Sequence, residues 1–225
     1  MVRDGIYYAL AFTAAGALVS YLAGAWFAMP LFLLGAFCAY FFRDPERLAP
    51  AGNVAVSPAD GKVVAVVEEA GAEGKRTRVS IFLNIFDVHV NRMPISGVIA
   101  DVHYLKGKFL VASLEDASTQ NEQNIVTVRG DGTTVVFKQI AGLIARRIVF
   151  TRKQGEFVQA GERVGLIKFG SRVDVIFGPE WQLAVKPGMR VSAGSSILAH
   201  RGDRVQTLKV VSAPLNVEEG LLCQT

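Results

Sequence analysis

From Gly5 to Phe42 the chain carries no charged residue, whereas beyond Asn53 apolar and polar positions alternate in short runs broken by glycine and proline. The two patterns predict two kinds of structure. Residues 6–28 form an apolar run that, at ~1.5 Å per residue, would cross a hydrocarbon core of ~30 Å as a helix. Pro30 predicts the break in it, and Leu31 to Phe42 supplies a second, shorter run. The expectation is a tilted or re-entrant helical hairpin that enters a membrane; a buried core hairpin is the competing reading. Phe41-Phe42-Arg43-Asp44-Pro45-Glu46-Arg47 ends the arm, because proline disfavours helix in the residue before it. An Ala/Gly/Pro-rich loop then leads to Asn53, which divides the chain into an arm over 1–50 and a folded domain over 51–225.

The second part reads as mostly β. Val54 to Glu69 predicts two short strands around the turn Pro58-Ala59-Asp60-Gly61, and Arg78 to Phe86 predicts a third. Val98 to Lys106 follows. Ile125 to Arg129 and Thr134 to Ile140 flank Gly130-Asp131-Gly132, a hairpin signal. Leu110 to Gln123 and Ala141 to Val149 have helical possibilities. Glycine turns recur in Val158–Gly165 and Val185–Val191, at a spacing typical of lipoyl-like β modules. The fold class is therefore mostly β within α+β: a compact barrel or sandwich core, few short helices, and the apolar helical hairpin.

Composition sharpens the division of labour. The chain of 225 residues is 51% hydrophobic with a net charge of +4. That charge lies wholly beyond the arm, since Arg3, Arg43 and Arg47 balance Asp4, Asp44 and Glu46 in the first fifty residues. A basic domain tied to an apolar arm suits an anionic membrane surface. Nucleic acid lacks a supporting motif. Arg43 and Arg47 after the hairpin favour the cytoplasmic side. Cys38 and Cys223 give neither a disulfide framework nor a CxxC motif.

Candidate chemistry centres on Gly170-Ser171, a glycine–serine break in the β-run Gly165–Val175. The Ser171 hydroxyl sits beside the carbonyl of its own preceding peptide bond. With a base nearby it could attack that carbonyl and turn the amide into an ester; otherwise the pair is a glycine bulge. The chain has three histidines. His89, where a loop leaves a strand in Asp87-Val88-His89-Val90-Asn91-Arg92, is the best candidate base, while His103 and His200 read as structural. Asp60, His89 and Ser171 have the residue types of a triad, and Asp60 reads equally well as a turn former. No HxH, HExxH, GxGxxG or P-loop spacing is present, so neither a metal nor a nucleotide cofactor is expected.

FFRDPER (41–47), SPADG (57–61), DVHVNRMP (87–94), NEQN (121–124), QIAGLIARRIV (139–149) and FGSRVDV (169–175) occur in order over nearly the full chain. Together they resemble the short prokaryotic phosphatidylserine decarboxylase proenzymes. The resemblance implies self-cleavage between Gly170 and Ser171 into a β chain of 1–170 and an α chain of 171–225, a heterodimer of the protein's own chains, with further homo-oligomerisation left open. It implies that Ser171 becomes a covalent pyruvoyl group. That group would form a Schiff base with the serine head group of phosphatidylserine and release CO2 and phosphatidylethanolamine. It places Asp60 and His89 at positions implicated in self-cleavage and catalysis. Longer bacterial members have a second histidine where this chain has Arg92, so either His89 serves both steps or Arg92 handles head-group charge. Archaetidylserine, an ether lipid with the same head group, is an alternative substrate, and a non-catalytic, membrane-tethered lipoyl-like module is the alternative from another class.

Overall fold

The computed structural model describes residues 2–71, 74–143, 147–167 and 171–202. Helix α1 (Arg3–Ala23) and helix α2 (Ala25–Phe41) form an antiparallel hairpin. The break falls at Gly24, not at Pro30. Gly24 takes φ +101°, which favours glycine, and Pro30 lies inside α2, where it costs a single backbone bond near the helix start. Tyr21, Leu22, Trp26 and Phe27 near the turn are 71–88% exposed, and the apolar window of α1 is only 6% buried. That excludes the buried core hairpin. Asp4–Ala23 is long and apolar enough to cross a membrane, and α2 is shorter.

The remaining chain is an antiparallel β structure. In order its elements are β1 (Val54–Val56), β2 (Gly61–Gly71), β3 (Gly74–Leu83), β4 (Val90–Arg92), β5 (Gly97–Leu105), the one-turn α3 (Ala117–Gln120), β6 (Gln123–Gly130) and β7 (Thr133–Ile140). There follow β8 (Ile148–Phe150), β9 (Phe157–Val158), β10 (Arg163–Ile167), β11 (Ser171–Phe177), β12 (Trp181–Leu183), β13 (Arg190–Val191) and β14 (Ile197–Arg201). One curled eight-stranded sheet runs β13-β2-β3-β11-β7-β6-β5-β9, and two three-stranded sheets run β4-β10-β8 and β1-β14-β12. Register shifts at Val63/Ala65 in β2 and Ile99/Asp101 in β5 bend the large sheet. Its concave face buries Val63, Ile81, Val126, Phe137, Val173 and Val175 in one core with Val164 and Ile167 of β10 and Leu198 of β14.

Local chemistry explains most of the turns. Asp131 (φ +48°) and Gly132 (φ +71°) form the two-residue hairpin joining β6 to β7, where both central residues need positive φ. At Gly61 a Cβ would lie 2.2 Å from the Phe82 carbonyl oxygen, so glycine is what lets β2 approach β3.

Among the described residues, the two stretches with helical possibilities are drawn away from helix by non-local contacts. Between Leu110 and Gln123 only α3 is helical. Asn121 bonds both backbone groups of Leu110 (2.9 Å each), and Arg172 takes the Leu114 carbonyl (3.0 Å), so these groups are unavailable to a helix. Within 141–149, Ile148 and Val149 join β8 and pair with β10. Arg78–Phe86 is a strand only to Leu83, after which the chain turns.

The exposed hairpin makes a direct prediction. Leu18→Arg, on a residue that is 59% exposed, places a charge on the apolar face at roughly 2–3 kcal/mol. Flotation with anionic vesicles should show binding reduced by about 100-fold; unchanged flotation would remove the hairpin as the anchor.

Candidate active site

His89 is positioned by the turn that ends β3. The Asp87 carboxylate accepts from the Asn84 backbone N–H (2.8 Å) and from Arg190, while the Asp87 N–H donates to the Asn84 carbonyl (2.9 Å). This braced loop aims the Asp87 carbonyl at His89 Nδ1 (2.8 Å). A carbonyl only accepts, so Nδ1 carries the proton and Nε2 holds the free lone pair of the neutral ring. Nε2 is buried and has no hydrogen-bond partner among the described residues. The ring packs on Phe41 of α2, with centroids 4.3 Å apart, and Phe41 is itself 1% exposed. Burial pulls the imidazole below its usual 6.5, and Arg43 adds to that, against the opposing effects of the Asp87 carbonyl, Asp87 and Asp60.

Ser171 opens β11 directly opposite Leu83, the last residue of β3. It is fully buried, and its Oγ has no partner among the described residues. The His89 carbonyl accepts from the N–H of Ile167, the last residue of β10 (3.3 Å). Topology therefore sets His89 against the strand that ends before Ser171, and Ser171 against the strand that leads to His89. Gly170, the other half of the expected cleavage pair, lies outside the described residues.

The side chain of Arg172 points to the opposite face and pins this strand start. Its guanidinium donates to Asp174 (2.7 Å), Ser80 Oγ (2.7 Å) and the Leu114 carbonyl (3.0 Å), all without exposure of Arg172 or Asp174. Asp174 also accepts from Ser118, and Arg78 shares Ser80 (2.8 Å) and bonds Glu69 and Glu115. These buried charges are tolerable because every one is paired and hydrogen-bonded.

Asp60 lies in the expected turn, but its carboxylate does not bond His89. It accepts both terminal nitrogens of Arg47 and the Ala193 N–H (2.8 Å). The group that orients the imidazole is instead the Asp87 carbonyl. Arg92 donates to the carbonyls of Gly161 (3.1 Å) and Pro45 (2.9 Å) and pairs with Asp44 (3.3 Å). Burial, then Arg163, pulls the Arg92 guanidinium below its usual value. Arg163 in turn holds Asp44 and Glu46 (2.7 Å each), and Arg43 donates to the Phe86 carbonyl (2.7 Å). Residues 43–47 thus form a charged strap that fastens the hairpin base to the β domain. His103 and His200 are exposed on β5 and β14.

Sequence reasoning passed over Asp87, Phe41, Arg47 and the Arg172 cluster. Asp87, Phe41, Arg47, Arg172 and Asp174 belong to motifs quoted for the family resemblance, whereas Ser80, Arg78 and Ser118 do not, and the contacts span from two to well over a hundred positions in sequence.

Comparison with known proteins now decides the family. The phosphatidylserine decarboxylase family model matches residues 34–199. The chain belongs to the phosphatidylserine decarboxylase family. It is 69% identical to the phosphatidylserine decarboxylase proenzyme of Solibacter usitatus, over 91% of this chain and 98% of that protein. The proenzyme of Erythrobacter litoralis is 44% identical over 89% of this chain and 87% of its own length. That of Saccharopolyspora erythraea is 49% identical over 74% of each. The matched span takes in the strap, the His89 turn and the start of β11.

Two outcomes test the geometry. Arg47 and Asp60 side chains are 16% and 14% exposed, so Arg47→Ala should cost roughly 3 kcal/mol, the low end for a broken buried pair; urea unfolding with an unchanged midpoint would contradict the strap. In a Ser171→Ala background, neutral buried His89 adds pH dependence to stability. Its folded value lies below the unfolded 6.5, so its contribution is whole above about pH 6.5 and declines as pH falls toward the folded value. His89→Gln should flatten the melting-temperature profile between about pH 7.5 and 5.5; parallel profiles would contradict the burial argument.

Proposed function

We propose that this chain is a self-processing, pyruvoyl-dependent decarboxylase that converts phosphatidylserine in a bilayer to phosphatidylethanolamine and CO2. The observation that carries the reading is the buried Ser171 hydroxyl, unpartnered among the described residues, at the start of the strand that follows the one bonded to a buried histidine whose Nε2 lone pair is free. A structural serine in a core would be bonded.

In maturation His89 Nε2 takes the Ser171 Oγ proton while Oγ bonds to the carbonyl carbon of residue 170, pushing the carbonyl electron pair onto its oxygen. Collapse breaks the C–N bond, and the proton from Nε2 passes to the released nitrogen, leaving an ester. Loss of the Ser171 Cα proton with cleavage of Cβ–Oγ frees residue 170 as a carboxylate. The enamine left at residue 171 takes a proton at Cβ and becomes an imine, water replaces its nitrogen, which leaves as ammonia, and a methyl ketone remains. Burial of Ser171 serves this order of events, because bulk water cannot compete for the ester. The products are chains of 1–170 and 171–225.

The site fits the pyruvoyl group, since a hydroxyl with no competing partner stands where it would form. When bound, that group supplies an electron sink for the pair left by departing CO2. His89 Nε2 would return a proton to the carbon that lost the carboxylate. Asp60 acts through Arg47, holding the strap beside the site and contributing negative potential near His89. Arg92 takes the same positioning role, its guanidinium being occupied by Gly161, Pro45 and Asp44.

We treat residues 1–50 as the membrane arm and 51–225 as the catalytic domain. The arm delivers the site to a substrate that stays in the bilayer. Arg43 and Arg47, at the hairpin base, support a cytoplasmic placement.

The test is CO2 release from a serine phospholipid in mixed micelles. The parent chain should release CO2, and borohydride plus lipid should label its C-terminal fragment. Ser171→Ala should do neither. Release by Ser171→Ala at the parent rate would end the pyruvoyl assignment.

A further inference from the structure

Ser171 Oγ and His89 Nε2 are not alone in lacking partners in this corner of the fold. Asn91, fully buried, has an Nδ2 with no hydrogen-bond partner among the described residues. Its orientation is fixed by a relay of amides. The Val149 carbonyl, which only accepts, takes a bond from Gln139 Nε2 (3.4 Å), so the amino end of Gln139 faces Val149. Asn124 Nδ2 donates to Gln139 Oε1 (3.1 Å), which fits the same orientation. Gln139 Nε2 also donates to Asn91 Oδ1 (2.9 Å). Turning Asn91 over would set two donors against each other. The relay therefore leaves Asn91 Nδ2 as a spare, buried donor.

The register places this donor against the face of the sheet that carries Ser171. Asn124, Gln139 and Val173 face one another across β6, β7 and β11. Ser171, two residues before Val173, shares their face of the sheet. His89 continues the β4 ladder, since the Ile167 N–H meets its carbonyl where Leu166 meets Val90. His89 and Asn91 are two residues apart in that segment and project to the same side. A base, a donor and a nucleophile thus lie on facing segments, each with hydrogen-bonding capacity unused among the described residues.

We infer that Asn91 Nδ2 is the oxyanion donor of self-cleavage, hydrogen-bonding the carbonyl oxygen bonded through carbon to the Ser171 nitrogen as it takes up the electron pair displaced by Oγ. The inference rests on the self-cleavage reading above. Asn91 is sealed from solvent in the uncleaved chain, so the acceptor it serves is one that arises inside the protein. Gln139 is the positioning residue: it holds the Asn91 amide in the donating orientation.

The full-length chain is made by cell-free synthesis, and fragment masses are followed in time. Asn91→Asp keeps the shape but replaces the donor with an acceptor. Gln139→Glu leaves Asn91 in place but presents only acceptors to it, drawing Nδ2 away from Ser171. Each should slow cleavage by about 100-fold or more. The block precedes the ester, so hydroxylamine should not split the accumulated precursor at 170/171. Melting of that precursor against Ser171→Ala controls for folding, and should Asn91→Asp misfold, Gln139→Glu decides. Cleavage of the folded variants within about threefold of the parent rate, or hydroxylamine scission of their precursors, overturns the donor assignment. A parent chain that never cleaves contradicts the preceding reading instead.

Discussion

A hydroxyl and an imidazole nitrogen sealed in a protein interior without partners cost about 1–3 kcal/mol each, and the organisation of this domain amounts to holding Ser171 and His89 in that condition. Ser171 is fixed by ladders on both sides of β11, to β3 and β7. The Arg172–Asp174–Ser80 cluster beneath it fastens the same strand start from the other face. His89 is fixed by the Asp87 carbonyl on one edge and by Phe41 on its face. None of these supports satisfies Oγ or Nε2, so the unused valences persist.

The Phe41 contact also joins the two halves of the molecule. Phe41 closes α2, and Phe42 packs edge-on against it at 4.9 Å. Immediately afterwards the strap begins, with Arg43, Asp44, Glu46 and Arg47 each paired to the β domain. A hairpin whose first helix is long and apolar enough to cross a membrane is thus joined by direct contacts to His89, the base of the proposed reaction. For a lipid whose reacting atoms sit at the head group, this shortens the path between membrane surface and site. It also explains why a motif as charged as FRDPER follows an uncharged segment: its charges address the protein rather than the solvent.

Much of this was legible in the sequence, because it is local. Alternation located β2, β5, β6 and β7, and Asp131-Gly132 named its own turn type. The Gly-Ser break in an apolar run marked the proposed nucleophile, a serine whose side chain is buried. What was not legible is non-local. Gly24 rather than Pro30 breaks the hairpin, since a proline near a helix start is tolerated and a residue at φ +101° is best a glycine. Asp60 was read as a triad member or turn former, but its carboxylate belongs to Arg47, thirteen residues away. Residues 110–123 carry a helical composition, yet Asn121 and Arg172 commit their backbone groups elsewhere. Asn91 and Gln139 stand in motifs that the resemblance highlighted, but only the register of β4, β6 and β7 shows that their amides form one relay.

The account is tested most directly by the intact mass of the purified full-length protein. It predicts two species that divide the chain between residues 170 and 171, the smaller beginning with a ketone in place of an amine. A single unbroken polypeptide that retains the Ser171 hydroxyl, folded and bound to membranes, would contradict it.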